Sequence, residues 1–107
     1  MSYDIWLEID TGGEEPARVT ESWNYTSNCS PMWREAGADL GEFHGRTAGE
    51  CLPELDAAIA ELKANRCKYV AMNPPNGWGS WDSLVVRLEE LAADFRRHPK
   101  ATVRVWR

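Results

Sequence analysis

The chain opens on a strict alternation of apolar and polar residues. Between Tyr3 and Ile9 the odd-numbered positions are apolar, while acids and one tryptophan occupy the even-numbered positions. A period of two is typical of a half-buried strand. Turn residues fill segment 11–16, and residues 17–25 then predict a second strand that forms a hairpin with the first. In that arrangement Glu21 lies on the inner face, beside apolar side chains.

The middle of the chain changes to helical spacing. Pro31 predicts the start of a short helix over residues 32–36, because proline is favoured in a first helical turn. Thr47 and Glu50 have the spacing of a capping box, in which both side chains satisfy free amides at a helix start. Apolar residues three and four apart follow them, so an amphipathic helix is predicted over residues 48–65.

The last third of the chain predicts one more helix and a final strand. Segment 73–79 carries two prolines and an Asn-Gly pair, which are typical of a rigid turn. Ser80 or Asp82 is expected to cap the helix that follows, which ends at His98. Residues 101–107 alternate again and predict a terminal strand.

The predicted order of elements is β-β-α-α-α-β, with strands at both ends of the chain. This order is typical of an α+β domain whose helices pack on one face of a small sheet, antiparallel or mixed. A length of 107 residues is near the commonest domain size and suffices for one core. We therefore expect a single domain over residues 1–107.

Charge favours pairing between the two terminal strands. The first 21 residues hold six acids and one base, whereas residues 96–107 hold five bases and no acid. On the solvent face of such a pair, Asp4 and Glu8 would meet Arg104, which is a favourable cross-strand contact. The basic end of the chain is thus explained by sheet pairing.

Composition excludes several classes of function. The net charge of −5 argues against nucleic acid and anionic membrane as partners. No apolar run approaches the roughly 18 residues of a membrane span, and the first ten residues lack the basic start of a signal peptide. Three widely spaced cysteines form no metal or redox pair, so we expect a cytoplasmic protein without metal or disulfide. No sequence motif for a nucleotide or other cofactor is present, so we predict no bound cofactor.

Three segments, 24–34, 43–50 and 73–81, are explained by neither core nor surface. Each is a loop that leads into a predicted helix start, where free amides and the helix dipole favour anions. Caps and turns are the alternative explanation for the same residues. The candidate ligand-binding side chains are Asn24, Tyr25, Thr26, Asn28, Trp33, Arg34, Arg46, Thr47, Asn73, Asn76, Trp78 and Trp81.

These side chains suggest a non-enzymatic protein that holds or sequesters a small anionic ligand derived from a nucleotide. Arg34 and Arg46 would pair with phosphate. Three tryptophans, Trp33, Trp78 and Trp81, would stack on the base while the asparagines orient it. If these tryptophans converge on one concavity, the hypothesis gains support.

Two other functions remain open. Tryptophans spread over a flat or convex face would instead favour a module that binds and inhibits a host protein, since tryptophan and arginine dominate interface energetics. An enzyme would use Cys29 as nucleophile or His44 as base, although no further catalytic signature accompanies them. A homodimer is compatible with each of these functions.

Five segments carry a resemblance over nearly the whole chain: YDIWLEIDTGG (3–13), NYTSNCSPMWR (24–34), GRTAGE (45–50), MNPPNGWG (72–79) and HPKATVRV (98–105). On these segments the chain resembles a family of small hypothetical proteins from actinobacteria and their phages. The resemblance implies a bacterial or phage setting in the host cytoplasm. It implies no activity and no catalytic residue, and a role in countering host defence follows from the setting by analogy alone.

Overall fold

The first strand organises the sheet. In the computed structural model, which describes residues 1–107, strand β1 spans Ser2–Ile9, and its odd-numbered side chains Tyr3, Ile5 and Leu7 are buried, while Ile9 at its end is exposed. Strand β4, Thr102–Trp106, runs antiparallel to β1, so the predicted pairing of the chain ends is confirmed. Arg104 donates to a carboxylate oxygen of Glu8 at 3.0 Å, as the charge pattern indicated.

The strand on the other edge of β1 is divided into two short strands. Strand β2 comprises Ala17–Arg18 and strand β3 comprises Trp23–Thr26, and both pair antiparallel with β1. Between them, residues 19–22 stand opposite only Trp6 and Leu7 of β1. The hairpin is therefore present, but its second strand contains a bulge.

The bulge overturns two details of the predicted strand over residues 17–25. The side-chain oxygen of Thr20 accepts a hydrogen bond from the Leu7 amide at 3.0 Å, where a regular ladder would supply a carbonyl. Because the strand is broken here, Glu21 does not reach the inner face and is exposed. The expectation that Glu21 lies among apolar side chains was wrong.

The helices confirm the α+β class, with one short helix more than predicted. Thr47 caps the second helix by accepting from the Glu50 amide at 3.2 Å. Ser80, and not Asp82, caps the last helix by accepting from Ser83. The α-helices are α1 (Ser30–Glu35), α2 (Ala48–Ala64), α3 (Arg66–Val70) and α4 (Trp81–Arg97), and 3₁₀ turns span Ser27–Cys29 and Leu40–Phe43.

The core lies between the sheet and the helices. All 27 buried residues are hydrophobic, and α2 and α4 each contribute six of them. The free edge of β4 is covered by the chain before α2, because Val103 exchanges backbone hydrogen bonds with Gly45 and Arg46.

None of the helices is long and apolar enough to cross a membrane.

The bulge generates a stability prediction. Thr20→Val keeps the shape of the side chain but leaves the amide of the buried residue Leu7 without an acceptor. An unsatisfied buried amide costs about 1–3 kcal/mol, so we expect the free energy of unfolding to fall by that amount in urea denaturation. Thr11→Val, in the exposed turn, is the control and should change it by less than about 0.5 kcal/mol. Equal effects in the two variants would contradict this role of Thr20.

Candidate functional site

An open cleft of about 680 Å³ lies where the start of β1, the end of β3 and the loop before α4 meet. Three different parts of the sequence therefore contribute to it. Six of the predicted ligand-binding residues are among those that line it. The lining consists of Met1, Ser2, Asn24, Tyr25, Thr26, Asn28, Asn76 and Trp78.

The Tyr25 hydroxyl fixes the loop of residues 73–80 against β3. It accepts a hydrogen bond from the Ser80 amide and donates to the Ser80 carbonyl, both at 3.2 Å, and it lies 2.5 Å from the Ser83 hydroxyl. Burial raises the pKa of Tyr25, so the hydroxyl keeps the proton that these contacts use. The loop is thus bound to the sheet at its end.

Gly79 allows the loop to approach the sheet closely. Its φ is +93°, a conformation that other residues rarely adopt. A Cβ at this position would lie 2.7 Å from both Cys29 Sγ and Thr26 Cγ2. The close contact at Gly79 therefore sets how far the loop, and Trp78 with it, stands from β3.

Two asparagines shape the loop from within. Asn73 accepts from the Trp81 amide at 2.7 Å through its side-chain oxygen, and Asn76 accepts from the Trp78 amide at 3.0 Å. Asn73 is therefore committed to the start of α4 and does not line the cleft. The amide nitrogen of Asn76 has no partner within the chain and can donate to a ligand.

The floor of the cleft offers neutral polar groups. The Asn24 amide nitrogen donates to Asp4 at 2.8 Å and to the Ser2 hydroxyl at 3.2 Å, which leaves the Asn24 side-chain oxygen as an acceptor. The Thr26 hydroxyl accepts from the Asn28 amide and has its own proton to donate. Both ends of the Asn28 side chain are without partners in the chain, and no charged side chain lines the cleft.

Trp78 supplies an exposed aromatic surface at the cleft. Its side chain is 70% exposed, an unusual state for the largest apolar residue. An indole face beside unpaired amides and hydroxyls can stack on a flat ring while the polar groups contact the edge of that ring.

The other two tryptophans of the predicted site lie elsewhere. Trp33 is 0% exposed and packs edge-on against Tyr3 in the core, so it is not accessible to a ligand. Trp81 is half-buried, donates to the Leu62 carbonyl at 2.8 Å and carries Arg66 over its ring. The three tryptophans neither converge on one concavity nor spread over one face. Trp33 and Trp81 pack against other parts of the chain, and only Trp78 lies at the cleft.

The predicted phosphate-binding arginines are also not brought to the cleft. Arg46 pairs with Glu54 at 3.1 Å on the exposed side of α2, and Thr47 is used as the cap of that helix. Arg34 lies beside Tyr3 and Asp39. At the starts of α2 and α4, the side chains of Thr47 and Ser80 each take one of the amides that were expected to be free for a ligand. Anion binding at this cleft therefore loses its predicted donors.

Cys29 and His44, the candidates for catalysis, do not form a pair. Cys29 is 1% exposed, and burial raises the pKa of its thiol, which disfavours the reactive thiolate. Its sulfur contacts the Tyr25 hydroxyl at 3.9 Å. His44 is exposed and accepts from the Val105 amide through Nδ1 at 3.0 Å, so it helps to cover the edge of β4.

Sequence reasoning missed Met1 and Ser2, which line the cleft. Ser2 stands opposite Thr26 in the sheet. The bulge shifts the register between β1 and β3 by two residues. The predicted hairpin lacked this bulge, so it did not place Ser2 opposite Thr26.

Glycine substitutions test the close contact of the loop. Gly77→Ala introduces a left-handed alanine into open space, so we expect a loss of about 1–2 kcal/mol in the free energy of unfolding. Gly79→Ala adds the clash with Cys29 and Thr26, so its loss should exceed that of Gly77→Ala by at least about 1 kcal/mol. Thermal or urea denaturation measures both. Equal losses would show that the loop does not press against β3.

Comparisons with known proteins complete the description of the site. No protein-family model matches the chain, and neither does a curated protein or a solved structure.

Proposed function

We propose that this protein is a non-enzymatic binding domain that holds a small, flat, polar ligand in the cleft, stacked on Trp78. The observation that carries the proposal is the 70% exposed indole of Trp78 beside side chains with unpaired hydrogen-bonding groups. A pocket that combines an aromatic face with a few placed polar groups is the usual form of a small-molecule site.

The neutral lining narrows the chemistry of the ligand. Asn76, Thr26 and Ser2 supply donors, while Asn24 and Asn28 supply acceptors, and no charged side chain lines the cleft. A nucleobase or nucleoside has the matching features, because its ring stacks and its edge both donates and accepts. A nucleotide-derived ligand would therefore be held by its base, with its phosphate outside the cleft.

The expected affinity is modest. Stacking of one base on an aromatic side chain contributes about 1–3 kcal/mol. Each neutral hydrogen bond adds about 0.5–1.5 kcal/mol net, and part of the gain is lost in ordering the ligand. Dissociation constants in the range of roughly 10 μM to 1 mM follow for the bare base or nucleoside.

The setting belongs to the proposal as well. In the actinobacterial or phage context that the resemblance implies, a domain of this kind would act in the cytoplasm by sequestering its ligand. Removing a nucleotide-derived signal from solution would counter a host defence without any catalytic step.

A second function is supported by Trp106. This residue ends β4, is also 70% exposed and lies outside the cleft. A protein-interaction module, which would bind and inhibit a host protein, uses exposed tryptophans as anchors. Trp106 would be such an anchor, and Trp78 would then serve as a second one.

Ligand binding is tested with a panel of nucleobases, nucleosides and mono-, di- and cyclic nucleotides, measured by isothermal calorimetry and saturation-transfer NMR. For the panel member that binds, Trp78→Ala should weaken binding at least about tenfold, because it removes the stacking face. Trp106→Ala is the matched control, since it removes a tryptophan of equal exposure outside the cleft, and it should leave the affinity unchanged.

Two results would contradict the ligand proposal. One is the absence of binding across the whole panel, and the other is an equal effect of Trp78→Ala and Trp106→Ala. If no panel member binds but a host protein is captured, and Trp106→Ala abolishes that capture, the interaction module is the function instead.

A further inference from the structure

Outside the cleft, two arginines converge on the hydroxyl group of Tyr3. Arg34 of α1 donates to the Tyr3 hydroxyl at 3.4 Å, and Arg107, which follows β4, donates to the same oxygen at 3.3 Å. The Tyr3 side chain itself is buried in the core, with 4% of the residue exposed. We propose that Arg34, Arg107 and the Tyr3 hydroxyl form a binding site for a phosphate group.

The hydroxyl geometry supports this site. A phenol oxygen has two lone pairs and one proton, and the two guanidinium donors occupy its lone pairs. Tyr3 donates to no acceptor within the chain, so its proton has no partner. The two guanidinium groups and the unpaired hydroxyl proton therefore lie side by side, and together they offer donors to the three free oxygens of a phosphate group.

The Arg107 guanidinium packs against Gly41. A Cβ at Gly41 would lie 2.9 Å from Arg107 Cζ, so a larger residue would displace the guanidinium. The φ of Gly41 is not positive, and its backbone conformation therefore does not require glycine. The guanidinium also lies over the Tyr3 ring, 5.9 Å from the centroid. The absence of a side chain at Gly41 is what allows Arg107 to lie beside Tyr3.

The charge balance leaves room for an anion. Asp39 lies 3.7 Å from Arg34 Nε and holds that side chain, but no carboxylate lies within 4.0 Å of the Arg107 guanidinium. Asp39 and Glu42 act on Arg107 only from a longer distance. In this proposed site Arg34 acts with Arg107, and not with Arg46 as the sequence suggested.

The test follows the arginine side chains of the full chain by NMR. Inorganic phosphate is titrated at constant ionic strength, with chloride as the balancing anion, while the Nε–Hε resonances of Arg34 and Arg107 are observed. We expect saturable shifts of both resonances. Arg34→Ala and Arg107→Ala should each weaken binding roughly tenfold, and Tyr3→Phe should weaken it by a smaller factor.

Two further variants, Gly41→Ala and Arg66→Ala, test whether phosphate binding depends on the position of the Arg107 guanidinium. Gly41→Ala removes no donor but displaces the Arg107 guanidinium, so it should weaken binding about as much as Arg107→Ala. Arg66 lies over the Trp81 ring and, like Arg107, has no carboxylate within 4.0 Å, so Arg66→Ala is the matched control and should have no effect. Methyl phosphate, a minimal monoester, is titrated in parallel. Whichever of the two phosphates binds more tightly identifies the free ion or an ester as the natural source.

Three outcomes would overturn the site. They are shifts that do not saturate, equal weakening by Arg66→Ala and Arg107→Ala, and acetate binding as tightly as phosphate at the same ionic strength. The site shares no residue with the cleft, and its readout is the arginine resonances. Its failure would therefore not decide whether a ligand stacks on Trp78.

Discussion

The hydroxyl of Tyr25 joins two parts of the chain that are 55 residues apart, and the cleft depends on that junction. The hydroxyl holds both the amide and the carbonyl of Ser80. Gly79 lies beside it with no side chain, which lets the loop lie against Cys29 and Thr26. Without these contacts Trp78 would have no defined position relative to the polar floor. A preformed position matters energetically, because ordering a loop on binding reduces the affinity.

The sheet explains why the floor itself is rigid. Strand β1 is bonded along both of its edges, to β4 on one side and to β2 and β3 on the other. Ser2 and Asn24 stand on neighbouring strands and are hydrogen-bonded to each other, so the polar groups of the floor have fixed spacing. A flat ring placed on Trp78 would therefore meet an ordered row of hydrogen-bonding groups.

Local sequence patterns predicted most of the helices and strands. Which side chains reach the cleft depends on long-range packing, which local patterns do not show. Alternation identified β1 because a strand with one buried face must alternate, and the Thr47 cap was readable because both partners lie within one turn. The burial of Trp33 could not be predicted, since a tryptophan in a single short helical segment has the same local sequence whether it faces the core or solvent. Arg34 and Arg107 meet only through the fold, so their convergence on Tyr3 had no local signal.

Residue-resolved amide hydrogen exchange on the wild-type protein and on Tyr25→Phe tests the central claim that the Tyr25 hydroxyl holds the loop in place. We expect the Ser80 amide to be protected in the wild type and to exchange at least about tenfold faster in the variant, because the amide loses its acceptor there. The Val103 amide in β4, which is bonded to Arg46, should exchange at the same rate in both proteins. An unprotected Ser80 amide in the wild type, or one that the substitution leaves unchanged, would contradict the account.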